Sequence, residues 1–295
     1  MLSLFFIMAA GYAAAKAGVI DEIATKRMTA LVLNVALPPQ VILAFLKGRG
    51  LVTSMELLQV AGLSLGTYFV FAAAAVVFLL LFRVEKSQHG LYIFMAMFSN
   101  VVFMGYPVIQ AVLGQDAMIY AVIINSVFNI IVYSVGIVLV SGGSGSFDPR
   151  VLLNVPMFSS ALALALFFTK IQLPYFMENA FGYMANLVTP MAMLILGSSM
   201  ARIPVRELFD DWRIYVFTAV RLGVIPIIVL GIMRFLHIQD PLMSGTLVIL
   251  AAMPVATNTT MLAIQYDGDI RLASKGVFFT TLVSVISIPL IAMLL

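Results

Sequence analysis

The chain reads as an all-α, polytopic membrane protein of ten spans in two five-span halves, and three observations carry that reading. Hydrophobic residues make up 63% of the 295 and charged residues 10%, with a mean hydropathy of +1.11, more apolar side chain than a soluble core can bury. Apolar windows close to the length that crosses a bilayer, about 20 residues, recur along the whole chain. Lysine and arginine collect in alternate connections, as expected of loops on the cytoplasmic side.

In order, the windows fall near residues 1–16, 28–46, 57–82, 91–114 and 117–140, which make the first half, 1–140. A Gly/Ser-rich stretch, Ser141–Ser146, opens a connector at 141–150. The second half, 151–295, holds windows near 151–169, 180–200, 213–236, 241–265 and 273–295. The first window has neither a basic n-region nor a small-residue cleavage site, so it is expected to be a span rather than a removable signal. With the N-terminus outside, the inner connections hold Lys16, Lys26, Arg27, Arg83, Lys86, Arg150, Arg202, Arg206, Arg213, Arg271 and Lys275. The outer ones hold Lys47, Arg49, Lys170 and Arg234, so both termini are expected outside.

An odd number of spans per half makes the second half enter the membrane inverted, the arrangement of many secondary transporters. Asn34 and Pro38 in the second span recur as Asn186 and Pro190 in the seventh at an offset of 152, and Asp116 recurs as Asp269 at 153.

Two spans carry interruptions. FSNVVFMGYPVIQAVLG, Phe98 to Gly114, is broken around Asn100, Gly105 and Pro107, and LAAMPVATNTTMLAIQY, Leu250 to Tyr266, has Pro254 followed by Thr257, Asn258, Thr259 and Thr260. A proline inside a membrane helix frees backbone groups that lipid cannot satisfy. At an interruption the free amides favour an anion and the free carbonyls a cation, and Asn100, Asn258 and the threonines add neutral donors and acceptors. The two broken helices are therefore expected to meet at a substrate site. The structural alternative is a pair of simple kinks.

Other residues divide similarly. Asn34 with Pro38, and Asn186 with Pro190, are expected to be bends in scaffold helices, the asparagines bonding carbonyls the prolines free. Asn125 and Asn129 stand one turn apart and share a face that lines the cavity or packs against another helix. Arg221 is the strongly charged residue that falls inside a span; it faces an anionic substrate or helix C-terminal carbonyls, or else snorkels to the inner surface.

Several classes are excluded. Cysteine is absent, which removes disulfides, thiol catalysis and thiolate metal sites. No acidic residue falls mid-span, so any coupling ion would need neutral oxygen ligands. His89 and His237 lie in separate loops, and no HExxH, GxSxG or P-loop occurs, leaving hydrolase and nucleotide-driven pump readings without support. The net charge of +3 is scattered between apolar runs rather than gathered into a nucleic-acid patch.

The segment FSNVVFMGYPVIQAVLGQDAMIYAVI, with Asn100, Gly105, Pro107, Gly114 and Tyr120, resembles the fourth-to-fifth-span signature of the auxin efflux carrier family. LAAMPVATNTTMLAIQYDGDIRLASKGVFFTTLVSVISIPL resembles its ninth and tenth spans at Pro254, Tyr266, Thr281 and Pro289, and GYAAAKAGVIDEIATKRMTALVLNVALPP its first two at Gly11, Gly18, Leu37 and Pro38. The resemblance implies a fold related to bile acid sodium symporters, with a scaffold of spans 1, 2, 6 and 7 and a mobile core of spans 3–5 and 8–10. It implies that spans four and nine cross at Pro107 and Pro254 beside the substrate, with Asn100 matching the family's asparagine. The short connector departs from the long loop of the plant auxin exporters and fits a bacterial member in the inner (plasma) membrane.

The function expected is elevator-type movement of a small organic anion, with membrane lipid as surroundings, a homodimer through the scaffold and no cofactor. Sodium or proton coupling stays open. A channel-like facilitator or a sodium-coupled symporter of an organic acid is the alternative.

Overall fold

A computed structural model describes residues 2–142, 154–169, 171–202, 211–266 and 268–295. Met1, most of the connector with Arg150, and Lys170, Arg206 and Asp267 lie outside the described residues. The described chain folds into helices: α1 Leu2–Lys16, α2 Glu22–Lys47, α3 Ser54–Leu81, α4 His89–Met97, α5 Val101–Val112, α6 Met118–Val140, α7 Val155–Thr169, α8 Tyr175–Met200, α9 Trp212–Phe235, α10 Pro241–Ala251, α11 Asn258–Gln265 and α12 Ile270–Ala292. Among the described residues, α2, α3, α6, α8, α9 and α12 are long and apolar enough to cross a bilayer, and α1, α5, α7 and α10 are shorter apolar helices. The protein is an integral, multi-pass membrane protein. Its outward apolar side chains, such as Leu58, Phe69 and Leu80 on α3, are the surface a lipid solvent requires.

Proline shapes three of these helices in one way. Its ring clashes with the carbonyl four residues back and it has no N–H to donate. Widened, π-helical turns at Val32–Ala36, Val101–Gly105 and Val220–Val224 are each followed two residues later by a proline, Pro38, Pro107 and Pro226. The clashing carbonyls, of Asn34, Phe103 and Leu222, fall inside the widened turns. In the first and last of them the N–H of Leu37 reaches Val32 and that of Ile225 reaches Val220, a ladder one residue longer than usual. Pro190 and Pro289 lie inside α8 and α12 without such a turn. Asn34 and Asn186 are exposed on their helices.

The chain divides into two compact units. The first comprises Met1–Val60, Val102–Ser126 and Arg150–Arg202. In it α1 lies backbone to backbone on α8: a Cβ added at Gly11 would stand 2.4 Å from the Leu194 carbonyl oxygen, and one at Gly197 1.9 Å from that of Met8. Small residues permit this approach, which packs helices closely where lipid supplies no hydrophobic drive between them. Val32, Ala36, Val188 and Ile195 form a core with Met28, Phe103 and Met191 against it. At one end Asp21 caps α2 by accepting from Ala24 N–H at 2.6 Å, and Arg202 donates to Thr25 Oγ1 at 2.6 Å and to the Ile20 carbonyl at 3.1 Å. Gly18, at φ +78°, makes the left-handed turn between α1 and α2.

The second unit comprises Ala61–Val101, Val127–Pro149 and Ile203–Leu295. Phe78, Tyr92 and Phe217 pack with ring centres 5.3 to 5.5 Å apart, Phe217 edge-on to the other two, between α3, α4 and α9. A Cβ at Gly90 would meet the Leu139 carbonyl oxygen at 2.1 Å, so α4 lies directly on the end of α6. Asp240 caps α10 and Asp269 caps α12, each accepting from first-turn amides. His89, expected in a loop, instead begins α4, half-buried, with its ring Nε2 2.9 Å from the Val84 carbonyl oxygen.

Candidate functional site

Within the second unit, two helices stop short and their continuations pair. Helix α4 ends at Met97, and Phe98 is extended at φ −106° and ψ 107°. Helix α10 ends at Ala251, and Met253 to Thr257 are non-helical before α11 begins. Ser99 and Val255 form an antiparallel bridge in which Asn100 N–H donates to Pro254 C=O at 2.8 Å and Ala256 N–H donates to Phe98 C=O at 2.9 Å. Such pairing satisfies backbone groups that lipid would leave bare. Proline is compatible with the bridge because it contributes its carbonyl there and its missing N–H is not needed.

The bridge is anchored on both sides. From α12, Thr280 Oγ1 accepts from Val255 N–H at 3.0 Å and donates to the Gly276 carbonyl at 2.6 Å. From the widened turn of α9, Arg221 reaches it with a side chain that is 0% exposed. Its Nη1 donates to Ala251 C=O at 2.6 Å and its Nη2 to Ser99 Oγ at 2.5 Å, while the guanidinium lies 5.5 Å from the Phe71 ring centre. Two donors nearby have no acceptor among the described residues, Arg221 Nε and Asn100 Nδ2, and Asn100 is buried. The Thr281 hydroxyl on α12 is likewise buried and has no partner among the described residues. The Phe98 ring packs on Phe94 and Phe128 at 4.5 and 5.5 Å, leaving the bridge an aromatic flank.

The structure places the remaining expected site residues variously. Pro254 belongs to the bridge; Thr257 precedes α11 as its cap residue, and Asn258 and Thr260 are half-buried in its first turn. The Thr259 hydroxyl is committed to the Ala256 carbonyl at 2.6 Å, a backbone task. Asn129 is half-buried in the second unit and its Nδ2 has no acceptor among the described residues. Gly105, Pro107 and Asn125 are buried residues of the first unit. There Gly105 ends the widened turn of α5 and Pro107 follows two residues later, and Asn125 Oδ1 and the Tyr106 hydroxyl are both buried without a hydrogen-bond partner among the described residues. Asn34 and Asn186 stay on exposed faces, also in the first unit. A cavity of about 270 Å³ lies elsewhere in the second unit, at the α9–α10 turn, lined by Arg234, His237, Gln239 and Ser244 among others, and none of its residues belongs to the bridge.

Sequence reasoning missed Ser99, Phe71 and Pro226. Pro226 carried a usable signal, since it follows Arg221 inside an apolar window much as Pro38 follows Asn34. Ser99 and Phe71 carried none, because their importance comes from a partner 122 residues away in one case and a ring stacked on a distant cation in the other.

A family model described as "Membrane transport protein" matches residues 1–150 and 146–292. An uncharacterized transporter of Methanothermobacter thermautotrophicus is 26% identical over 298 residues, 98% of this chain and 95% of that one. One from Methanocaldococcus jannaschii is 24% identical over 301 residues, 98% and 96% of the two chains. A Rhizobium meliloti protein bearing the name "Putative malonate transporter" is 24% identical over 232 residues, 75% of this chain and 72% of that one.

Proposed function

The chain belongs to the membrane transport protein family of auxin efflux carriers, and from that premise we propose that it is a secondary transporter moving a small organic anion by elevator-type alternating access. The observation that carries the reading is the Phe98–Asn100 to Pro254–Ala256 pairing, with Arg221 bonded to it and donors of Asn100 and Arg221 left without acceptors among the described residues. A carboxylate is an acceptor-only group with about four lone-pair sites. Unspent donors beside a permanent cation are the chemistry that receives one. A fixed positive charge disfavours a cationic substrate. The name of the Rhizobium relative adds a carboxylate as a substrate to try first.

In this proposal α4 with α5 and α10 with α11 each count as one interrupted span, so the long and short apolar helices together make ten in an inverted 5+5 arrangement. Spans 3–5 and 8–10 form the moving part and spans 1, 2, 6 and 7 the scaffold, through which a homodimer would form. The lysine and arginine distribution supports both termini outside. Asn100 and Asn258 hold the carboxylate, with Thr257, Thr260 and Asn129 completing its surroundings.

The test is a thermal-shift screen of purified protein against small carboxylic acids, followed by uptake and counterflow in proteoliposomes. A ligand that binds the native state raises its melting by mass action. Asn100→Ala should weaken the accepted carboxylate about tenfold, the loss of one hydrogen bond to a charged acceptor. Unchanged binding and transport in folded Asn100→Ala and Asn258→Ala would overturn the site assignment. Single-channel currents without saturable counterflow would replace the carrier with a channel.

A further inference from the structure

We infer that Arg221 is a tethered cation occupying the place a coupling cation would take at the bridge, so the site is electrostatically complete toward an anion without sodium or another alkali ion. The inference rests on the transport reading for its consequence, but its basis is the geometry around the guanidinium. Nη1 bonds the carbonyl of Ala251, the last residue of α10, and Nη2 bonds the hydroxyl of Ser99, two residues past the end of α4. Both acceptors are uncharged. The charge is met by helix ends.

A helix C-terminus carries roughly half a negative elementary charge in its unbonded carbonyls. The terminus of α10 meets the guanidinium directly through the Ala251 carbonyl, and the chain leaving α4 meets it through the Ser99 hydroxyl. This accounts for a full cation at 0% exposure held by a carbonyl and a hydroxyl. Discontinuous membrane helices present the same C-terminal carbonyls to sodium in carriers that use it. Here the Ala251 carbonyl at the end of α10 faces a side chain that is always charged and attached to α9. A freely exchanging cation would have to displace it from Ala251 and Ser99.

The widened turn Val220–Val224 belongs to the same device. Arg221 is its second residue, and Pro226 prevents the turn from closing to regular α-helix. The turn therefore sets the angle at which the guanidinium leaves α9. Nη1 and Nη2 each spend one N–H on the bridge, and Nε, which has no acceptor among the described residues, is a donor free for an arriving carboxylate. The loaded site then holds one fixed positive charge for one carboxylate, with no ion to bind beforehand.

Thermal unfolding of the ligand-free protein in detergent tests this without reference to transport. At constant ionic strength, melting of the native sequence should agree within about 1 °C in sodium, potassium and N-methylglucamine chloride. Arg221→Ala should melt lower and regain at least half of the loss on addition of low-millimolar guanidinium or sodium, with urea at the same concentration giving none. Arg221→Lys should retain more stability than Arg221→Gln. A native protein that loses stability when sodium is replaced by N-methylglucamine overturns the inference, as does Arg221→Ala melting like the native protein with no response to cations. If Arg221→Ala does not fold, the cation exchange on the native protein and the Lys–Gln comparison decide. A parallel titration with malonate separates the two proposals: no response to any carboxylate removes the transport reading, whereas sodium-dependent malonate binding by the native protein removes this one.

Discussion

Replacing Gly197 by alanine probes the closest helix contact of the first unit. The added Cβ would stand 1.9 Å from the Met8 carbonyl oxygen and 2.7 Å from the Tyr12 amide nitrogen, both backbone atoms that cannot rotate away. Cβ contacts under 3.0 Å are essentially never adopted, so α1 and α8 must separate by about 1.1 Å at this point. Overpacking of this kind costs about 1–3 kcal/mol, and backbone on both sides puts it near the top of that range. Alanine returns about 1 kcal/mol of helix propensity, leaving a net loss of about 2 kcal/mol. Gly182 on the same helix is the control, because a Cβ there meets nothing within 4 Å. Gly182→Ala should therefore gain about 1 kcal/mol, so the two variants differ by about 3 kcal/mol. At about 2–4 °C per kcal/mol for chains somewhat shorter than this one, their melting temperatures in detergent should differ by roughly 6–12 °C. Gly11→Ala, with its Cβ 2.4 Å from the Leu194 carbonyl oxygen, should behave like Gly197→Ala, and the double variant should lose less than the sum. Equal melting of Gly197→Ala and Gly182→Ala would refute the close crossing.

Three further expectations concern the second unit. Thr280→Val removes the acceptor of the buried Val255 N–H and should destabilise by about 1–3 kcal/mol, while Thr280→Ser keeps the hydroxyl; calorimetric or fluorimetric melting compares the two. Pro226→Ala allows the Val220–Val224 turn to tighten and turns Arg221 away from Ser99, so carboxylate affinity should fall by more than in Pro289→Ala, whose proline has no widened turn before it. Gly90→Ala drives a Cβ to 2.1 Å from the Leu139 carbonyl oxygen and should lower melting, whereas Gly62→Ala on α3, with open space around it, should not.

Membrane character was legible from composition, because a lipid solvent demands apolar side chains over whole spans and 63% hydrophobic residues have nowhere else to go. One of the two places where helical structure stops was also legible. Proline removes a donor wherever it stands, and Pro254 lies in the non-helical stretch after α10, whereas Pro107 sits inside α5 behind a widened turn and the stop on that side falls earlier, at Phe98–Asn100. Asn100 was found by the same logic, as a polar residue at an interruption. The sequence could not say which prolines merely widen a turn: Pro38 and Pro226 do so, and Pro190 does not. That outcome depends on whether neighbouring side chains tolerate the longer turn.

What only tertiary structure decided is the pairing. Ser99 and Val255 are separated by more than half the chain, and a backbone bridge leaves no mark in side-chain chemistry, since any residue has an N–H or C=O to offer. Arg221 shows the division within one residue. Its sequence position established a charge inside an apolar window that had to be met by something. Only the fold determined that Ala251 and Ser99 meet it, because helix-end dipoles exist where helices stop, and where they stop relative to a residue on another helix is a property of packing.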